Sequence, residues 1–461
     1  MITFMLCLRK VWEACFHKSL IMSAQGIKLD TVRLPNALLS RLSMRVSVDD
    51  LDMATFVVFA ILMASLTTRA LMIYRRTSEF EPFLQNPAIL LGLILALILV
   101  MFVSSRILRI AILAGSILVF GVYSRALYVF DPATWSDVLP VTKEAVQVVL
   151  SGGNVYTHIF RSSEPPGQPF KYGPFEPLFY VPFHVLFGDL RIAELFSSTV
   201  VMILIFSLGR SVGYDKTLIP LALFSSWGLN ITSTGAGVND DTAGMLAFLS
   251  IFLLVLAQRK RSKLLGATTS IILGLSICFK LFPALFAPFI IFLLFNLKKT
   301  ATIDWKYYLA LLTATLLGLS LPYLLVSPEP YLRNLFSANV DRIAELGPLS
   351  YQWHIWYSIL NRDFFFYVPA VLNMDVNVLI FMVPKIMLTI SLATIVVLLI
   401  LTKGVVSLAR TICYGVISWF VLLITGPWFP GSFFGFIAPF ICTLPILDLA
   451  WSERTRKQAM L

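Results

Sequence analysis

Charged residues are scarce in this chain: Asp, Glu, Lys and Arg make up 13% of 461 residues while 58% are hydrophobic, against about 25% and about 45–50% in a soluble domain. That shortage excludes an ordinary soluble enzyme. Cysteine is also rare, and the five present, Cys7, Cys15, Cys278, Cys413 and Cys442, lie in the N-terminal tail or inside apolar runs. No loop therefore offers a pair for a disulfide or a zinc site. The sequence shows no P-loop, no GxGxxG strand–helix unit, no repeat, no heptad run and no low-complexity segment, which disfavours a nucleotide-sugar donor and an attached soluble module. The opening MITFMLCLRK lacks the order of a secretory signal, because its basic pair follows the short apolar run and no small-residue cleavage site comes after it.

Long apolar runs are what the chain has in abundance. About 20 apolar residues cross roughly 30 Å of hydrocarbon as a helix, and runs near that length recur from residue 53 to residue 450. Spans are predicted over 53–73, 88–104, 107–124, 192–208, 217–234, 239–257, 264–279, 283–297, 307–326, 377–402, 411–426 and 433–450, twelve in all, with both termini on one side. The fold expected is an all-α polytopic membrane protein. A net charge of +11 is then a question of which side of a bilayer the charges occupy, and nucleic acid is not expected as a partner.

The positive-inside rule sets the orientation. With the cluster from Arg259 to Lys263, the group Lys298, Lys299 and Lys306, and the terminal Arg454, Arg456 and Lys457 inside, 23 basic and 9 acidic residues are cytoplasmic, against 13 and 16 outside. Residues 1–52 read as a cytoplasmic extension or as sequence upstream of the true start, residues 53–450 as one transmembrane domain and 451–461 as a cytoplasmic tail. Two long loops, 125–191 and 327–376, fall outside. Within the first, FEPLFYVPFHVLFG (Phe175 to Gly188) is too short and too interrupted by proline to span, and fits an interfacial or re-entrant helix. Leu264 to Leu297 is an apolar stretch between two cytoplasmic basic clusters, so two short crossings meeting near CFKLFP are expected, with Lys280 at the outer turn.

Acids at the outer face are the first candidates for chemistry: Asp131, Asp137, Glu164, Glu176, Asp240 and Asp241. A carboxylate beside hydrocarbon is costly unless it faces protein or a wet cavity, although a solvated loop acid is the plainer reading of Asp131, Glu164 and Glu176. Lys280 near a helix end suits snorkelling as well as ligand binding. Asn239, Asp240 and Asp241 suit capping of the helix that follows them. His354, inside YQWHIWYSIL, sits among aromatics of the kind that gather at membrane interfaces and also stack on sugars. The sequon Asn230-Ile231-Thr232 lies too near the membrane to be a convincing acceptor, and GSFFG near residue 431 suits helix packing.

Several of these residues fall in one pattern: an acid opening the first outer loop (Asp137), a helix ending in GGN-Y (Gly152, Gly153, Asn154, Tyr156), a YGP-x-x-PL segment (Tyr172, Gly173, Pro174, Pro177, Leu178), an ND-D group (Asn239, Asp240, Asp241) and K-x-x-P (Lys280, Pro283). Over about residues 107–300 the chain resembles the GT-C membrane glycosyltransferases, in particular the polyprenyl-phosphate-mannose-dependent alpha-mannosyltransferases of bacteria and archaea. The resemblance implies a multi-pass plasma-membrane enzyme that moves a sugar, mannose in this family, from a polyprenyl-phosphate donor to a lipid-linked or glycan acceptor at the extracytoplasmic face. It implies Asp137 as general base with Asp131 as the alternative acid, Lys280 and Lys171 at the donor phosphate, and Tyr172, Glu176, Asn239, Asp240, Asp241 and His354 at the substrate. No cofactor is implied; relatives differ in metal dependence, and the first outer loop here has no DxD-like motif. Two other classes compete: a polymerase or ligase of lipid-linked glycans, which would lean on Arg333, Arg342 and Arg362, and a secondary transporter, which the dissimilarity of the two halves argues against.

Overall fold

The computed structural model describes residues 50–76, 92, 95, 96, 98–100, 102–131, 136–163, 166–297, 301–337, 376–425 and 433–459. Among the described residues there is no strand, and the elements in chain order are α1 (Asp50–Arg76), α2 (Arg106–Val129), α3 (Val138–Leu150), α4 (Phe175–Phe187), α5 (Arg191–Ser207), α6 (Tyr214–Ser226), α7 (Gly228–Ala236), α8 (Asp240–Lys260), α9 (Lys263–Phe279), α10 (Ala287–Asn296), α11 (Trp305–Val326), α12 (Val376–Leu401), α13 (Leu408–Thr425) and α14 (Phe434–Ala459). Among the described residues five stretches are long and apolar enough to cross a membrane: Arg106–Val129, Arg191–Val212, Asp240–Lys260, Trp305–Val326 and Phe434–Trp451. The protein is a helical membrane protein. Shorter apolar helices lie over most of the other predicted crossings.

Local chemistry sets the boundaries. Ser105, Ser262 and Asp304 accept from backbone N–H groups in the first turns of α2, α9 and α11, satisfying donors that a helix start leaves unpaired. Gly188 and Gly213, at φ 72° and 99°, end α4 and the short turn Gly209–Val212 that continues α5. The GGN turn after α3 likewise has Gly152 at φ 74°. One departure from the sequence reading and one agreement with it matter. The predicted crossing 217–234 is two helices, because Trp227 is extended (ψ 104°) between α6 and α7. The α9–α10 pair is broken where Lys280 is extended (φ −150°, ψ 143°), followed by a 3₁₀ turn over Phe282–Leu285 that carries Pro283. That break falls at CFKLFP, where two short crossings are expected to meet.

Helix α8 is central: 78% of its apolar window is buried against 6% for α11, so α8 forms the core and α11 the rim. It packs against α5, α9 and α14. Gly244 lets α14 approach, since a Cβ there would lie 2.8 Å from the Phe436 carbonyl oxygen, as expected where small residues mediate membrane helix packing. The exposed Leu317, Leu321, Leu325 and Val326 of α11 suit hydrocarbon rather than water. A second apolar cluster joins the first long loop to the end of α11, through Val155, Tyr156, Phe160, Phe170, Tyr331 and Leu335.

Candidate active site

The site forms where the start of α8, the end of α9 and the loop between α3 and α4 meet. Gly173 makes the loop's approach possible: its N–H donates to the Phe279 carbonyl (3.2 Å), and a Cβ at Gly173 would run into the carbonyl of Cys278. The YGP segment is therefore seated directly on the last turn before Lys280. Tyr156 fixes it from behind, donating its hydroxyl to the Tyr172 carbonyl (2.9 Å) while packing edge-on against Tyr323 and Tyr331. Asn154 donates to Ser327 (2.8 Å) and accepts from the Tyr156 N–H. The GGN-Y motif thus acts here as a brace between the loop and α11.

Lys280 is the centre of the arrangement. Its ammonium donates to Asp240 Oδ1 (2.5 Å) and Asn239 Oδ1 (2.9 Å). It also sits 5.6, 5.3 and 5.2 Å from the ring centroids of Tyr172, Phe282 and Phe433, a cation in an aromatic box. A snorkelling lysine would reach for water, whereas this side chain is 11% exposed and paired with a fully buried carboxylate. Asn239 turns its other face to Glu176, donating Nδ2 to Oε1 (3.3 Å), where Thr142 of α3 also donates (2.7 Å). Asn239 makes no capping bond to α8. Capping is corrected for this residue: its amide is used between Glu176 and Lys280 instead.

Glu176 is fully buried on α4, outside the five spanning stretches. Burial pushes its carboxyl up to about 7, against the Thr142 and Asn239 hydrogen bonds and the Lys280 charge, which pull it down. Its Oε2, like Asp240 Oδ2, is buried without a hydrogen-bond partner among the described residues. The plain reading of Glu176 as a solvated loop acid is therefore wrong. Burial, with the charges of Glu176, Asp240 and Asp137, holds the Tyr172 hydroxyl well above its ordinary value. Asp137 lies at the lip, exposed at the start of α3 and with no side-chain bond to that helix.

The remaining predicted residues separate. Asp241 turns away from Lys280 and accepts from Asn230 and Thr234, and Asn230 in turn accepts from Arg125. Asn230 is fully buried, which agrees with setting its sequon aside. Asp131 is half-buried, and its carbonyl accepts from Arg191 (2.7 Å). Lys171 is half-buried beside Tyr172 in the chain. His354, Glu164, Arg342 and Arg362 lie outside the described residues.

Two buried charges escaped the sequence reading. Arg125, fully buried at the end of α2, donates to the Gly121, Ser225 and Phe224 carbonyls at 3.0–3.1 Å. Glu194, fully buried near the start of α5, accepts from Tyr180 and from Thr242 Oγ1 (2.6 Å) and N–H (3.1 Å). A charge set at the margin of an apolar run was the available signal. With them, Asp240, Asp241 and Thr242 reach three different partners from three successive positions. Among the described residues no three His, Cys, Asp or Glu are grouped to hold a metal ion. No protein-family model matches the chain, and no curated protein matches it.

Proposed function

We propose that the protein is a GT-C-like glycosyltransferase that crosses the plasma membrane twelve times, with residues 125–191 and 327–376 outside. It moves a sugar, mannose by resemblance, from a polyprenyl-phosphate donor to a lipid-linked or glycan acceptor. Asp137 accepts the proton of the acceptor hydroxyl, the acceptor oxygen bonds to the anomeric carbon, and the bond from that carbon to the phosphate oxygen breaks. The departing phosphate keeps the electron pair, and Lys280 carries the opposing charge. Asp240 and Asn239 hold the ammonium in place and Tyr172 lines the approach.

The observation that carries this reading is the meeting of Tyr172, Glu176, Asn239, Asp240 and Lys280 at one break in the bundle, with Asp137 exposed at its edge. The resemblance named those residues from motifs as far apart as 143 positions, Asp137 to Lys280. The test is transfer of radiolabelled mannose from a polyprenyl-phosphate donor by purified protein in liposomes. Lys280→Met alone would leave Asp240 as a buried uncompensated charge, which typically costs about 3–5 kcal/mol. The informative variant is therefore Lys280→Met with Asp240→Asn, which keeps the pair neutral. Loss of transfer with retained thermal stability is expected, and normal donor kinetics in that variant would overturn the reading.

A further inference from the structure

Lys280 has two carboxyl groups to answer, and a phosphate would be a third anion. Asp240 is bonded to the ammonium directly, and Glu176 lies one amide away across Asn239. Both carboxyls are fully buried and each has one oxygen without a partner among the described residues. Asp137 adds a negative charge that acts on Tyr172, and the tyrosines 156, 172 and 180 add no positive charge. Around Glu176, α3 contributes Thr142, α8 contributes Asn239 and Asp240, and the end of α9 contributes Lys280, the one cation of the set. A phosphate oxygen that takes the ammonium therefore adds negative charge to a buried site already holding two carboxyls per cation, an arrangement that low dielectric makes costly.

We infer that Glu176 is a phosphate-binding residue that acts as a neutral carboxylic acid, taking up one proton as the phosphate binds and donating it from Oε2 to a phosphate oxygen beside Lys280. Oε1 is already occupied by two donors, from Thr142 and Asn239. The proton therefore resides on the free oxygen, and a buried oxygen with no partner gains one. The elevated proton affinity of Glu176, near neutrality, makes the uptake accessible at working pH. This inference rests on the phosphate-donor reading, and it adds a ligand residue and a proton linkage to it.

The probe is farnesyl methyl phosphate, a diester whose own charge does not titrate near neutrality, and dimethyl phosphate is the same group without a lipid tail. Calorimetry of the full chain in two buffers of different ionisation heat counts the protons exchanged. At pH 8 the wild type should take up about one proton per farnesyl diester, falling towards zero near pH 6, with affinity weakening about tenfold per pH unit above neutrality. Glu176→Gln, whose amide is a fixed neutral donor, should bind with no proton exchange and a flat pH profile. Thr142→Val, which removes a bond that favours the ionised form, should shift the uptake profile to higher pH and covers the case in which Glu176→Gln does not fold. Binding of the farnesyl diester without uptake overturns the inference and leaves the donor reading standing. Uptake that persists in Glu176→Gln also overturns it, by moving the proton to Asp240. Failure of wild type to bind the farnesyl diester overturns both. Equal binding of dimethyl phosphate would mark a site for phosphate as such, and tighter binding of the farnesyl diester a site for a lipid headgroup.

Discussion

Gly173 donates its backbone N–H to the carbonyl of Phe279, the residue before Lys280. Two motifs more than 100 residues apart are joined at that bond, and a side chain at Gly173 would collide with the backbone of Cys278. The obstacle is main chain, which cannot rotate aside as a flexible side chain would. Gly173→Ala should lower stability by about 3 kcal/mol, at the upper end of the usual range for overpacking, and should loosen Tyr172 and Glu176 together. Thermal unfolding with hydrogen exchange across residues 170–180 checks this, and an unchanged exchange pattern would contradict the seating described.

Arg125 gives the second prediction. Of four polar contacts from one buried guanidinium, one stays within α2 and three reach α6 and α7, where Asn230 in turn donates to Asp241. Arg125→Met strands the Asp241 charge and should cost about 3–5 kcal/mol, the usual penalty for breaking a buried pair. Adding Asp241→Asn should recover most of that loss. A double variant as unstable as the single one would mean that Arg125 serves the three carbonyls and not Asp241.

How much of this was visible in the sequence depends on distance along the chain. Apolar runs announce helices locally, so α2, α8 and α11 follow from composition, and glycine marks the turns after α3 and α4. An apolar stretch flanked by two basic clusters of the same expected side announced the break at Lys280. Tertiary partners are another matter, because Glu194 meets Thr242 across 48 positions and Arg125 meets Asn230 across 105. Nothing local in either segment specifies the other. Asn239 shows the same limit: its type and place suggest a cap, and only the packing of α4 and α9 against α8 redirects its amide to Glu176 and Lys280.

Glu144 anchors the loop that follows α3. Burial alone would raise its carboxyl, but the Ser162 hydroxyl, His158 and the N–H groups of Ser162 and Arg161 hold it down at about 2. A depressed carboxylate stabilises the fold above its ordinary value of 4.5, and that contribution is lost as pH falls towards about 2. The Glu144 side chain is 20% exposed, so the effect is modest. Glu144→Gln should cost about 1–2 kcal/mol near neutrality and expose the Arg161 and Ser162 amides to faster hydrogen exchange. The difference from wild type should shrink as pH is lowered below 4.5, and a difference that grows would reverse the sign argued here.

The orientation can be read with two labels. Lys143 on α3 and Arg261 after α8 are both exposed, and α8 separates the end that holds the candidate site from the end that holds the basic cluster Arg259 to Lys263. Cysteine placed at each position should react with an impermeant thiol reagent from opposite sides, Lys143→Cys from outside. Reaction of both from one side would overturn the twelve-span topology and the site built on it.

The choice of base is the sharpest test of the chemistry. Asp137 is exposed beside Tyr172 and makes no side-chain bond to α3, which leaves its carboxylate available to an incoming hydroxyl. Asp131 is half-buried, and its carbonyl is held by Arg191, whose guanidinium is itself paired with Asp189 at 2.8 Å. A structural use at the exit of α2 explains that contact. Asp137→Asn keeps size and hydrogen bonding but cannot accept the acceptor proton, and general-base catalysis is typically worth about 10²–10⁴ in rate. Transfer should fall by that factor in kcat, with donor KM and thermal stability near wild type, while Asp131→Asn, which leaves the carbonyl bond to Arg191 in place, should lose less activity. Near-normal transfer in Asp137→Asn with abolished transfer in Asp131→Asn would exchange the two assignments. If neither substitution slows transfer, proton removal is carried by another group and the mechanism proposed here fails.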